Sequence, residues 1–401
     1  MDQLVKRSET AGAPGAKPAH AAMIFARDRE SEGVIRQCLS DLNVADVEFF
    51  SGSGITEAIA TLKRRSSPRL LIVDVSGAND PVSRIAELAD VCEPGVGVVV
   101  IGENNDIALY RSLRRTGIVD YFFKPLVRDL VTHTFKGIIS GSVEQKGTRT
   151  GKLVFVLSIR GGAGATTIAV NSAWHLAEAR QRKVLLVDLD LQFGDAALQL
   201  DVTPSHALRE ALEHPERVDD LFLERGVTHV TERLDVLAAL EPVKDGLIPE
   251  EDAVLSLLEN LLHRYRYVFV DVPTTLAPKL MRVLSLPSTC LLVGTGSLVS
   301  ARDTARWLEQ IGPNTPERST IHVLNKSGAH GTLPEAELVR AIGRAPDVVI
   351  PYSREIGVAS NLGISAMQKS TLLQRGLAPV FRCLAGEAVV PPRSFLERIF
   401  K

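Results

Sequence analysis

Val154-Phe155-Val156-Leu157-Ser158-Ile159-Arg160-Gly161-Gly162-Ala163-Gly164-Ala165-Thr166-Thr167 decides how this chain is read. An apolar run meets a glycine-rich loop, and Thr166-Thr167 then open a helical stretch. In this layout glycines let backbone N–H groups approach oxyanions, and a helix N-terminus adds positive potential. The spacing is that of a P-loop with its lysine replaced. Ala165 stands in the lysine position, Arg160 opens the loop, and Thr166 sits where a P-loop hydroxyl ligates Mg2+. The stretch predicts a nucleotide cradle with altered chemistry for cleavage.

Two further segments agree with the loop. Val184-Leu185-Leu186-Val187-Asp188-Leu189-Asp190 is an apolar strand ending in acids at i and i+2. Alternation puts both carboxylates on one side of an extended chain. They lie at the strand's carboxyl end, where ligands sit in open α/β sheets. One acid suits Mg2+ support and the other the orientation of an attacking water. Taken alone, the pair also reads as acids capping a turn. Tyr267-Val268-Phe269-Val270-Asp271 is another apolar strand ending in an acid, placed as a Walker B strand would be.

Working outward, short apolar runs alternate with helical stretches twice. Residues 21–140 carry predicted strands at 22–26, 47–50, 70–75, 96–101 and 120–123, with helices around 30–42, 54–64, 80–90, 105–116 and 127–139. The runs at 70–75 and 96–101 are apolar without alternation, as in parallel strands covered on both faces. This predicts a flavodoxin-like, doubly wound unit. Residues 141–150 are polar and read as a linker. A larger parallel α/β unit follows over 151–386, with strands at 153–157, 184–188, 234–238, 267–271, 289–294, 320–325 and 348–350. Its helices are predicted near 166–180, 250–264, 299–311 and 334–342. Residues 1–20 read as a disordered tail.

The bulk numbers bound the function. At 401 residues there is chain enough for two cores, and 45% hydrophobic with 23% charged residues is ordinary for a soluble protein. A formal charge of −2 gives no basic field for nucleic acid, so no specific nucleic-acid partner is expected. The four cysteines (Cys38, Cys92, Cys290, Cys383) are scattered, without metal spacing, and suit a reducing compartment. No run is long enough to span a bilayer and no signal-peptide core is visible. These features predict a cytoplasmic protein.

The loop Arg160-Gly-Gly-Ala-Gly-Ala-Thr-Thr167 with Val187-Asp-Leu-Asp190 resembles the deviant P-loop of the MinD/ParA ATPase superfamily. The segment Asp188-Leu-Asp-Leu-Gln-Phe-Gly-Asp195, the lysine-poor loop and the receiver-like unit in front together resemble the CpaE/TadZ pilus-assembly family. The resemblance covers the chain from Ala21 onward, and the order of its two units is its most specific part. It implies ATP and Mg2+ as cofactors and a homodimer around the nucleotide. Arg160 then matches the signature lysine that reaches the partner subunit's phosphates. Gly161, Gly162, Ala163, Gly164, Ala165, Thr166 and Thr167 match the cradle. Asp190 matches the water-orienting acid, Asp188 the acid near Mg2+, and Asp271 the Walker B acid. Asn325, followed by Lys326, matches an adenine-contacting asparagine, and Pro351 opens the loop over the base. The implied role is positional: placing a tight-adherence (Flp-type) pilus secretion machine at the inner membrane, at a cell pole. The implied partners are a pilus motor ATPase and membrane platform proteins. Without a lysine at 165 a phosphate cation is lost, which commonly costs a few kcal/mol of transition-state stabilisation, so hydrolysis is expected to be slow or conditional. Arg160 bears on either its own nucleotide or the partner's, since one guanidinium serves one place.

The front unit resembles a response-regulator receiver. Asp74 ends the third strand, at the phospho-acceptor position, and Lys124-Pro125 follows the fifth. Arg27-Asp28 stands where an acidic pair binds Mg2+, and Gly102 replaces a hydroxyl residue, so the site reads as vestigial. At the other end, Phe395, Leu396, Ile399 and Phe400 fall on one helical face after Pro391-Pro392. Residues 387–401 resemble the membrane-targeting helix that ends MinD. Packing of this tail on its own domain is the alternative.

Overall fold

The computed structural model describes residues 20–140, 151–244, 246–361 and 366–384. The expected linker 141–150, the terminal tail 387–401 and all but the last residue of the tail 1–20 lie outside the described residues.

The first unit runs β1 (Ala22–Ala26), α1 (Arg29–Asp41), β2 (Val47–Ser51), α2 (Ile55–Leu62), β3 (Leu70–Asp74), α3 (Pro81–Val91), β4 (Gly97–Gly102), α4 (Ile107–Arg115), β5 (Asp120–Phe123) and α5 (Arg128–Ser140). Its strands lie parallel in the order β2-β1-β3-β4-β5, the flavodoxin-like winding. Every residue of β1, β3 and β4 is buried, which is why these runs are apolar without alternation. Acids start three of the helices. Asp28, Asp80 and Asp106 accept from the backbone N–H groups of Ser31, Ser83 and Ala108 and satisfy donors that a first turn leaves unpaired.

The second unit begins with β6 (Lys152–Ser158), α6 (Ala165–Glu178), β7 (Val184–Asp188), α7 (Ala196–Gln199), α8 (Ala207–Glu213) and α9 (Asp220–Gly226). It continues through β8 (Thr228–His229), β9 (Leu234–Leu237), α10 (Glu251–Leu262), β10 (Tyr267–Val272), α11 (Met281–Leu284), β11 (Ser288–Thr295), α12 (Leu298–Ile311) and β12 (Arg318–Ser327). It closes with α13 (Glu335–Ile342), β13 (Val348–Pro351), α14 (Arg354–Asn361), α15 (Ala366–Lys369) and α16 (Thr371–Leu384). The sheet order is β13-β12-β11-β6-β10-β7-β9-β8, parallel except for β8 against β9. β6 is central. Alternate residues of β6 face opposite cores: Phe155 and Leu157 pack towards α10, Val154 and Val156 towards α6 and α16.

This order places the site. From β6 the chain winds towards β7 and β9, returns to β10, and then crosses to β11, β12 and β13. The reversal leaves a crevice outside the carboxyl ends of β6, β10 and β11, where an open α/β sheet binds its ligand. Loop 158–164 occupies that crevice.

Candidate nucleotide site

Loop 158–164 is shaped by two glycines in the left-handed region. Gly162 has φ +78° and Gly164 φ +90°, values that a side chain resists. A Cβ at Gly164 would stand 2.6 Å from the Asn325 amide nitrogen. Gly164 then starts α6 with no side-chain cap. The first N–H groups of α6, at Ala165, Thr166 and Thr167, therefore face the crevice uncapped, as an anion cradle requires.

Neighbouring strands brace the loop. The Thr274 hydroxyl donates to the Ser158 carbonyl at 2.6 Å, and the Ser158 hydroxyl to the Arg160 carbonyl at 2.6 Å. The Asn325 amide donates to the Ala163 carbonyl at 2.8 Å, while its oxygen accepts from the Lys326 N–H at 2.9 Å. The Lys326 ammonium donates to the Gly162 carbonyl at 2.7 Å, and Lys326 itself holds φ +55°. Asn325, matched above to an adenine contact, is thus placed at the loop with both ends of its amide engaged by protein. Lys326 staples the same loop. Pro351 ends β13, the edge strand beyond β12, and stands outside these contacts.

Within the chain Arg160 pairs with α12: its Nε and Nη2 reach one Asp303 oxygen, at 2.8 and 2.6 Å. Arg302 holds the other oxygen at 2.8–2.9 Å. Although burial opposes it, hydrogen bonds from Arg302 and Arg160 keep the Asp303 carboxyl below its ordinary value. Asp303 was not singled out from the sequence. It lies 143 residues from Arg160, and no local pattern marks it.

The acids collect at the carboxyl ends of β7 and β10. Asp188 and Asp271 are side by side across the two strands, and both are buried. Burial pushes both carboxyls up, the Asp188 charge raises Asp271 further, and the nearby Asp190 and Asp195 charges raise both. Backbone donors at Asp190 and Ala196 pull against this for Asp188, as does a hydrogen bond from Thr166 for Asp271. The two Asp188 oxygens accept from the Asp190 and Ala196 N–H groups at 3.0 and 3.2 Å. Asp188 therefore also shapes the loop after β7. One Asp190 oxygen accepts from the Phe193 N–H at 3.1 Å.

Among the described residues no three His, Cys, Asp or Glu side chains gather as a metal-holding group. Mg2+ in nucleotide enzymes is held by one or two carboxylates with water and phosphate oxygens, so a complete protein cage is not required. Thr166 with Asp271 and Asp188 fits that donor set, since two buried acids in contact are stabilised by a cation.

The front unit holds a different cluster. The Lys124 ammonium lies 2.6 Å from Asp28 Oδ2 and 2.7 Å from Asp74 Oδ2. Asp74 is fully buried and also accepts the backbone N–H groups of Arg27 at 3.0 Å and Ser76 at 2.8 Å. The Arg27 guanidinium donates to the Ser76 carbonyl and lies against Gly77, while its aliphatic stem lies against Gly54. Both acids thus already share one internal cation, the Lys124 ammonium, and a pair neutralised in this way does not fit Mg2+. The sequence marked Arg27 as out of place; the structure adds where its side chain goes.

An AAA domain family model matches residues 151–297. The chain is similar to a virulence plasmid ParA family protein of Chlamydia psittaci, pGP5-D, with 31% identity over 134 residues, covering 31% of this chain and 49% of that one. It thus spans about half the length of that relative. It is 22% identical over 258 residues to the septum site-determining protein MinD of Thermotoga maritima, covering 61% of this chain and 92% of the relative. Among solved structures, a ParA family ATPase from Chlorobium tepidum aligns with TM-score 0.49 and 23% identity, over 57% of this chain and 99% of that one. The pilus assembly protein CpaE from Caulobacter crescentus aligns with TM-score 0.27 and 30% identity, over 29% of this chain and 92% of that one. The second unit is a MinD/ParA-like P-loop domain.

Proposed function

We propose that this chain, with its MinD/ParA-type P-loop ATPase domain, is an ATP-binding, ATP-dependent dimerising localisation factor for a tight-adherence (Flp-type) pilus secretion machine. The observation that carries the nucleotide part is the loop 158–167, whose uncapped α6 amino end sits at the crevice without a lysine at 165. The first N–H groups of α6 take the phosphate oxygens. Thr166, Asp271 and Asp188 hold Mg2+, which when bound neutralises phosphate charge. Asp190 holds the attacking water. Arg160 leaves Asp303 and crosses to the phosphates of a second copy, so that nucleotide and dimer favour each other. With no lysine at 165, hydrolysis in each copy is slow or conditional.

The pilus part is supported by the order of the two units and by the segment Asp188–Asp195 described above. Under this reading the protein acts at the inner membrane, at a pole, with a motor ATPase and platform proteins as partners. Among the described residues no helix is long and apolar enough to cross a membrane.

The test is a melting curve with ATP and MgCl2. A ligand of the native state raises the midpoint, by about 2.7 kcal/mol of added stability at a hundredfold excess over Kd. An unmoved midpoint at millimolar ATP sinks the reading. A second reading, a freely hydrolysing positioning ATPase, is favoured by the ParA and MinD relatives. Strong stimulation of turnover by DNA or lipid vesicles would select it.

A further inference from the structure

Three arginines of the nucleotide unit converge on one corner of the front unit. Arg233 and Arg266 immediately precede β9 and β10, and Arg182 stands two residues before β7. Arg182 Nη1 donates to the Val91 carbonyl at 2.8 Å and the Leu62 carbonyl at 3.3 Å. Leu62 and Val91 are the last residues of α2 and α3, so one guanidinium collects two helix ends whose carbonyls are unpaired and partially negative. Arg233 Nη2 reaches the Ser66 hydroxyl at 2.5 Å and its Nη1 the Glu93 carboxylate at 3.4 Å. Arg266 Nη2 donates to the Asp90 carbonyl at 3.1 Å and reaches its carboxylate at 3.4 Å.

These contacts differ from ordinary surface pairs. The side chains of Arg266, Arg233 and Glu93 are 2%, 13% and 19% exposed. Charges give up water to that extent only against specific partners. Burial pushes the Glu93 carboxyl up, and Arg233, Lys183 and Arg182 pull it back.

Topology fixes what the contact means. In both units the touching residues lie where strands begin: the α2–β3 and α3–β4 connections on one side, the entries to β7, β9 and β10 on the other. Asp74 and Lys124 lie where the front strands end, and loop 158–164 lies where β6 ends.

We propose that these arginines form a clamp that makes the two units one rigid body, joined back to back, with the Asp74 edge and the nucleotide crevice facing opposite ways. The front unit is then not a lid over the crevice. It is a mount that carries whatever binds its Asp74 edge on the far side from the nucleotide. This inference does not depend on nucleotide binding.

Small-angle scattering of the full chain tests it, without nucleotide. The wild-type curve should fit the joined arrangement as a single conformation. R182E with R233E should raise the radius of gyration and maximum dimension, with circular dichroism unchanged. The charge swap E93R with R233E should return the dimensions towards wild type. A wild-type curve that requires independently moving units overturns the clamp, whatever the variants do. So does a double-arginine variant that stays as compact as wild type.

Discussion

Gly164 shows how much of the site rests on single positions. Its φ of +90° is costly for alanine, by about 1–2 kcal/mol, and the added methyl would displace the Asn325 amide from the Ala163 carbonyl. Gly164→Ala should therefore lower stability by about that amount and abolish the ATP-dependent rise in melting temperature. Urea unfolding and the melting curve read the two effects separately. In the front unit, Lys124 is the shared cation of two carboxylates. Lys124→Met leaves buried Asp74 facing Asp28 without it, and breaking such a pair costs about 3 kcal/mol. A variant unfolding at the wild-type urea midpoint would show that the cluster is not held this way. The cradle and the acids were legible in the sequence because each is a local pattern joined to a strand end. The Arg160–Asp303 bond was not, because it depends on how α12 packs beside the loop. Lys326 stood in view beside Asn325, yet its use as a staple depends on a φ of +55° that no spacing reveals.

Elements explain the rest of what was legible. Runs such as 70–74 and 184–188 are buried along their whole length, and continuous apolar strands announce a parallel sheet. The segments 196–226 and 354–384 were harder. α7 and α15 have four residues each, too few for a period to show, and α16 carries Pro379 inside it, a residue that reads as a helix breaker. β12 holds a residue whose chemistry is set mainly by its burial in the sheet. His322 is 1% exposed, and both ring nitrogens lack a partner within the described structure. Burial lowers its pKa to about 4, with Arg344 adding to the effect. Between about pH 6.5 and 4 the unfolded chain takes up this proton and the folded chain does not. Stability from this group is thus whole above pH 6.5 and is lost as pH falls towards 4. At pH 5 the loss is about 2 kcal/mol relative to neutrality. His322→Leu should flatten that acid limb of the urea midpoint against pH. An unchanged limb would place the titration elsewhere.

At the scale of the whole molecule, each unit keeps its candidate site where its strands end, and the arginine contacts between the units lie where strands begin. Under the proposed function the crevice at β6 receives a second copy, and Arg160 is the residue whose position separates the two states: paired with Asp303 in the single chain, as here, and released to the partner in the proposed dimer. Size-exclusion chromatography with light scattering, with and without ATP and Mg2+, on wild type and Arg160→Ala, reads this directly. The account predicts that ATP raises the dimer fraction of the wild type and that Arg160→Ala reduces it. A molar mass that responds neither to ATP nor to the substitution would contradict the account.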